Sequence, residues 1–101
     1  MQNTLNTNEV YTFKLNSGEE LIAKVKETGD NWVVLEEPAS IAPTQKGIQL
    51  IPSMFTSEPK SEVRLNTSSV SLVGTTEDGV KMKYLEMTTG ITVPDKKIIL
   101  G

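Results

Sequence analysis

Residues 11–37, YTFKLNSGEELIAKVKETGDNWVVLEE, carry the strongest strand pattern of the chain. Apolar and polar residues alternate in residues 11–15 and again in residues 21–26, which is the period of a half-buried strand. Between them lies a compact turn in which Gly18 can take a positive φ at little cost. Residues 32–35 are apolar on both faces and predict a strand packed on two sides. These three strands form a meander.

The third strand is predicted to run towards Ile41 and to end at Pro43, which lacks a backbone donor. Residues 48–51 restart an apolar segment, and Pro52 places it at a sheet edge or a bulge. Two more short strands centre on Arg64 and on residues 70–73, joined by a tight connection over residues 66–69. Residues 98–100 predict a small closing strand.

The last quarter of the chain changes to a helical period. Val80, Tyr84 and Met87, followed by Ile91, form one apolar stripe and predict a helix over residues 77–89. Thr75 is predicted to cap its start, and Gly90 suits the left-handed residue after its end. The Asn- and Thr-rich residues 1–9 are expected to be disordered, which leaves residues 10–101 as a single domain.

Composition excludes several classes of chemistry. The chain has 101 residues and contains neither cysteine nor histidine. Disulfides, thiolate zinc sites and the triads that depend on a histidine base are therefore ruled out. We expect no catalytic residues, no metal site, no cofactor and no enzymatic activity.

Net charge and hydropathy limit the classes of partner that we expect. Ten Lys and Arg residues stand against thirteen Asp and Glu residues, which gives a net charge of −3, and Arg64 is the single arginine. Such a chain lacks the basic field of an avid nucleic-acid binder, so DNA is not an expected partner. No secretory signal and no apolar run long enough for a membrane are present, so we expect a cytoplasmic protein without membrane contact.

Clustered carboxylates leave an enzymatic alternative open. Glu19-Glu20, Glu36-Glu37 and Glu77-Asp78 are acidic pairs of the kind that serve acid–base work or a magnesium site. Sequence neighbours on a strand point to opposite faces, so neither glutamate pair converges on one ion by itself. Solvated strand ends are the favoured interpretation.

Two stretches resemble the Sm-like (Lsm) family. Residues 11–37 are similar to its first motif, a strand, a glycine turn and a long strand with an L-E ending, and residues 63–74 (VRLNTSSVSLVG) are similar to its second. The resemblance implies a mainly β, SH3-like open barrel of five bent antiparallel strands, here followed by one C-terminal helix. It also implies a homo-oligomeric ring closed by pairing of edge strands between subunits, an arrangement that removes exposed edges.

In RNA-binding members of that family, an asparagine of the first motif and an arginine-glycine pair of the second bind RNA at the inner rim. Here Trp32 occupies the first position with Asn31 beside it, and Asn66-Thr67 stand at the second. The resemblance therefore makes Asn31, Trp32, Asn66 and Thr67 the candidate RNA-binding residues. The leading hypothesis is a non-enzymatic ring that binds RNA weakly or serves as an RNA-related scaffold.

Nearly the whole chain resembles small proteins of tailed phages of marine cyanobacteria. The shared features are an L-x-S-G-E-E-x-I-A opening at residues 15–23, the Ile51-Pro52 segment, and a tyrosine-bearing helix that ends in Gly90-Ile91. This resemblance implies a location in the cytoplasm of an infected host cell. It leaves open a second hypothesis, a structural or adaptor protein of phage assembly whose partner is another phage protein.

Overall fold

The fold is mainly β with one helix, as a computed structural model describes it for residues 5–54, 56–58 and 60–90. A short 3₁₀ turn over Thr67–Ser69 joins the last two strands. The elements are β1 (Val10–Leu15), β2 (Glu20–Thr28), β3 (Trp32–Thr44), β4 (Gly47–Pro52), β5 (Glu62–Asn66), β6 (Val70–Thr75) and α1 (Asp78–Thr89).

The strands form one antiparallel sheet in the order β4-β3-β2-β1-β6, with β5 also paired to β3. The predicted meander is β1 to β3, and the long β3 continues one residue past Pro43, paired to β4. Within the described part of the chain the sheet does not close, because β6 pairs only with β1 while β4 and β5 pair only with β3.

The described residues form six strands, whereas the Sm-like barrel implies five. The difference lies at a bend in β3, where two strands, β5 and β4, pair with successive halves of β3. At Glu37 the backbone turns left-handed (φ 50), and Pro38 follows without a backbone donor. Pairing with β2 jumps there, from Lys24↔Glu36 to Ile22↔Ala39, so β3 carries one extra residue. The outer edge of β3 is thus divided: β5 pairs with its first half and β4 with its second.

The sheet is apolar on both faces. One face holds a core around Phe13, Val25 and Val33, none of which is exposed to solvent, with side chains of β5 and β6 packed against it. The opposite face holds a smaller cluster in which Ile22 and Ala39 meet Tyr84 of the helix. Because both faces are covered, three consecutive residues of β2, Leu21–Ala23, are apolar and buried, and apolar and polar residues do not alternate there.

Helix α1 begins differently from the sequence prediction. Thr75 is not its cap; it is the last residue of β6, and the Glu77 carboxylate accepts a hydrogen bond from the Val80 N–H (3.0 Å) instead. Thr75 does not cap the helix because its pairing with Tyr11 of β1 keeps Thr75 in an extended conformation. At the other end Gly90 is left-handed (φ 72), as predicted.

Residues 5–9 of the segment predicted to be disordered contact the sheet. Leu5 packs against the main core, the Asn6 N–H donates to the Tyr11 hydroxyl (2.9 Å), and the Asn8 N–H donates to the Val25 carbonyl (2.6 Å). Residues 1–4 and the closing strand predicted at residues 98–100 lie outside the described residues.

Candidate functional site

The four residues predicted to bind RNA lie together at one end of the sheet. Trp32, the first residue of β3, is directly opposite Asn66, the last residue of β5. The Thr67 N–H donates to the Asn31 carbonyl at 3.1 Å, which joins the two turns. Antiparallel pairing of β3 with β5 thus produces a continuous surface, called here the β3–β5 end.

Trp32 is a half-buried side chain held between two neighbours. Its indole lies over Gly29, where an added Cβ would come within 2.6 Å of Cζ2. The guanidinium carbon of Arg64 lies 5.4 Å from the ring centroid, within cation–π range. Both the one tryptophan and the one arginine of the chain are therefore at the β3–β5 end, and Arg64 is exposed to solvent.

Asn66 has a local structural role. Its Oδ1 accepts hydrogen bonds from the Ser68 backbone N–H (3.0 Å) and the Ser68 hydroxyl (2.9 Å), which caps the 3₁₀ turn. Asn31 and Asn66 are both exposed, whereas Thr67 is partly buried. The motif comparison selected these positions, but the capping bond is a second reason for an asparagine at position 66.

Sequence reasoning missed an apolar cavity of about 180 Å³ beside the β3 bend, called here the helix-end cavity. The bend in β3, the loop after β4, strand β5 and the last turn of α1 line it, and one side is open to solvent. Its lining includes Pro38, Pro52, Met54, Val63 and Met87, with the carboxylates of Glu37 and Glu58. Met54 and Met87 are 51% and 40% exposed, which is unusual for methionines that line a cavity. No sequence signal marks this site, since its parts come from four separate segments.

Lys60 joins the wall of this cavity to the helix. Its Nζ donates to the Thr88 carbonyl (2.9 Å) and lies 3.4 Å from the Glu37 carboxylate. A cation at the C-terminus of a helix is favoured by the helix dipole. Lys60 therefore fixes the loop after β4 against both α1 and the bend.

The outer edge of β6 is unpaired within the described residues and carries an exposed apolar side chain. Leu72 is 68% exposed. It lies on an open groove of about 510 Å³ that also contacts Ile41, Ile48 and Val80. An unpaired strand edge next to exposed apolar surface is a typical site of pairing with another chain.

The carboxylate pairs do not converge on a common point. Glu19 accepts a hydrogen bond from the buried Ser40 hydroxyl, and Ser40 also lies 3.0 Å from the Ser53 hydroxyl. Glu36 lies 4.0 Å from Lys24, and Glu37 pairs with Lys60. Residues 5–54, 56–58 and 60–90 contain no group of three or more acidic side chains positioned to hold a metal ion.

Burial raises the pKa of Tyr84 to about 12. The nearby carboxylates of Glu37 and Glu36 add to the increase, while the hydrogen bond from the Lys24 backbone opposes it. The Tyr84 hydroxyl is thus a neutral structural donor at physiological pH.

Among the described residues, no helix is long and apolar enough to cross a membrane. No protein-family model matches the sequence, and no curated protein is significantly similar to it.

Proposed function

We propose that the chain is a non-enzymatic, Sm-like module that assembles into a homo-oligomeric ring and binds RNA weakly at the β3–β5 end. The observation that carries the proposal is the pairing of Trp32 with Asn66, which brings the four candidate residues onto one surface together with Arg64. Trp32 and Asn66 are 34 positions apart in the chain, and the antiparallel register of β5 against β3 brings them together.

Open edges support the assembly. Within residues 5–54, 56–58 and 60–90, the sheet path ends in β6 on one side and in β4 on the other, with β5 beside it. These are different surfaces, so pairing one with the other between copies is head-to-tail, and such contacts form rings when the rotation closes. Ring closure would pair both edges and cover Leu72, which is 68% exposed in the single chain.

The chemistry of the β3–β5 end supports single-stranded RNA as its ligand. The exposed amide of Asn31 can donate to and accept from base edges, and the Nδ2 of Asn66 can donate to them while its Oδ1 caps the 3₁₀ turn. Arg64 supplies a cation for a phosphate, and its planar guanidinium can stack with a base beside the indole. With one arginine and a net charge of −3, the affinity is expected to be weak and strongly salt-dependent.

Native mass spectrometry at low salt tests the assembly. We expect a single closed oligomer for the wild type and a shift to monomer for Leu72→Lys, because a charge at this position would be buried at the interface. The control Gln45→Lys adds the same charge at the exposed β3–β4 turn and should leave the oligomer intact. A monomeric wild type, or a ladder of open chains, would contradict the ring.

Fluorescence anisotropy with a short labelled oligouridylate tests the ligand. Arg64→Gln should weaken binding and reduce the slope of log K against log salt by about 1, whereas Lys46→Gln, the same charge change at a distant turn, should not. Trp32→Ala combined with Asn66→Ala should weaken binding by about 5- to 150-fold, the value of about 1–3 kcal/mol for one stacked base. RNA binding unchanged in both variants, or a ring that binds no RNA, would refute this ligand and favour a protein-binding adaptor.

A further inference from the structure

We propose that the helix-end cavity is a docking site for a segment of the same chain, the apolar triplet Ile98-Ile99-Leu100, with Lys96 and Lys97 placed against the acidic rim. The triplet and the lysines lie outside the described residues, so the proposal rests on the cavity, on the sequence that follows Gly90 and on charge. It is independent of the oligomer and of RNA binding.

The size and lining of the cavity fit aliphatic side chains. A volume of about 180 Å³ is comparable to the roughly 150 Å³ engineered cavities that take up a benzene molecule. Methionine side chains adapt their shape to an irregular apolar partner. Met54 and Met87 would lose their unfavourable exposure of 51% and 40% once the cavity is filled.

Chain connectivity brings the triplet within reach. Met87 lines the cavity and lies three residues before Gly90, about 4.5 Å along the helix axis. Eight further residues lead from Gly90 to Ile98, and an extended chain of that length spans at most about 29 Å. A tethered ligand at this distance has an effective concentration in the millimolar range, so even weak docking is populated.

Charge favours the lysine pair that precedes the triplet. Two acidic residues, Glu37 and Glu58, line the cavity. Among the described residues one cation pairs with them, Lys60 at 3.4 Å from the Glu37 carboxylate. The rim is therefore acidic, and a Lys-Lys pair followed by three aliphatic residues is complementary to an acidic rim around an apolar cavity.

Methyl NMR on the full chain, with the methionine methyl groups ¹³C-labelled, tests the docking. Changing all three residues of the triplet to serine should shift the Met54 and Met87 methyl resonances. Met82 lies on the same helix but is not among the residues that line the cavity, so it serves as the internal control and should not shift. Unchanged Met54 and Met87 resonances, or an equal shift at Met82, would overturn the proposal.

A charge reversal provides the second arm. Lys96→Glu with Lys97→Glu should move the Met54 and Met87 resonances towards their positions in the serine variant, because the rim would repel the segment. Lys81→Glu with Lys83→Glu, the same change on the helix, should leave them in place. Resonance positions that change with protein concentration would show the segment of a second copy in the cavity and would overturn docking within one chain.

Discussion

The hydroxyl of Tyr84 is expected to contribute a large share of the stability of the fold. Tyr84 is 1% exposed, and its hydroxyl donates to the Glu36 carbonyl (2.7 Å) while accepting from the Lys24 N–H (3.1 Å). Both backbone groups lie where the extra residue of β3 interrupts pairing with β2. Tyr84→Phe keeps the ring and removes both bonds.

The magnitude follows from the cost of leaving buried polar groups unpaired, about 1–3 kcal/mol for each. Two such groups predict a loss of about 2–6 kcal/mol in the free energy of unfolding. Urea denaturation followed by Trp32 fluorescence measures this loss as a lower midpoint at an unchanged slope. The matched control is Tyr11→Phe, since that hydroxyl accepts one bond from the Asn6 N–H near the start of the described chain and should cost about 1 kcal/mol or less.

A Tyr84→Phe variant within about 0.5 kcal/mol of the wild type, the range of a neutral surface substitution, would refute the reasoning. That result would mean that water or a relaxed backbone satisfies Glu36 and Lys24 without the hydroxyl. A loss as large in Tyr11→Phe would also refute it, because the effect would then not depend on the interrupted pairing.

The same hydroxyl predicts a pH dependence. The pKa of Tyr84 is raised from 10.0 to about 12 in the folded state, so the unfolded chain loses this proton first. The contribution of this proton to the free energy of unfolding is therefore fully present below pH 10. It is lost between about pH 10 and 12 and amounts to about 2–3 kcal/mol at most. Tyr84→Phe should lack this part of the decline, and equal slopes for the two proteins would contradict the assignment.

Three further substitutions test local features. Gly29→Ala places a Cβ against the Trp32 ring and should lower the free energy of unfolding by about 1–3 kcal/mol. Trp32 fluorescence emission should change as well, and an unchanged emission spectrum would contradict the packing of the indole on Gly29. Asn66→Ala removes the cap of the 3₁₀ turn and should lower the free energy of unfolding in urea by about 1 kcal/mol. Asn66→Asp keeps the acceptor oxygen and should change the free energy of unfolding little, so equal losses in the two variants would argue against capping. Lys60→Met should lower stability by about 1 kcal/mol and speed amide exchange in the last turn of α1 at Thr88; unchanged exchange would mean that Lys60 does not hold the loop.

Patterns of hydrophobicity predicted the positions of most elements. Alternation in residues 11–15 marked β1, and the helical stripe of Val80 and Tyr84 marked α1. Such patterns report local burial, which each strand or helix imposes on its own residues. The cap at Glu77 in place of Thr75 was not predictable in this way, because pairing of Thr75 with β1 decides it and that pairing is a long-range contact.

In the candidate site, too, some residues were identified from the sequence, whereas other features depend on long-range contacts. The motif comparison selected Asn31, Trp32, Asn66 and Thr67, and strand pairing brings them together. Arg64 was visible in the sequence only as the single arginine; its place over the Trp32 ring follows from the register of β5 against β3. The helix-end cavity needs the bend, a loop and a helix end at once, and no window of the sequence contains all three.

The bend at Glu37-Pro38 connects these features physically. A residue before proline normally stays extended, yet Glu37 is left-handed (φ 50), and this geometry lets β3 change partners along one edge from β5 to β4. The extra residue interrupts pairing with β2, and the Tyr84 hydroxyl of the helix bonds the Glu36 carbonyl at this interruption. The loop after β4 begins at the same bend, where the Ser53 N–H donates to the Pro38 carbonyl (3.1 Å), and Lys60 joins the loop to Thr88 and Glu37, with the cavity between them. One local departure from regular strand geometry thus explains the divided edge, the buried tyrosine and the cavity together.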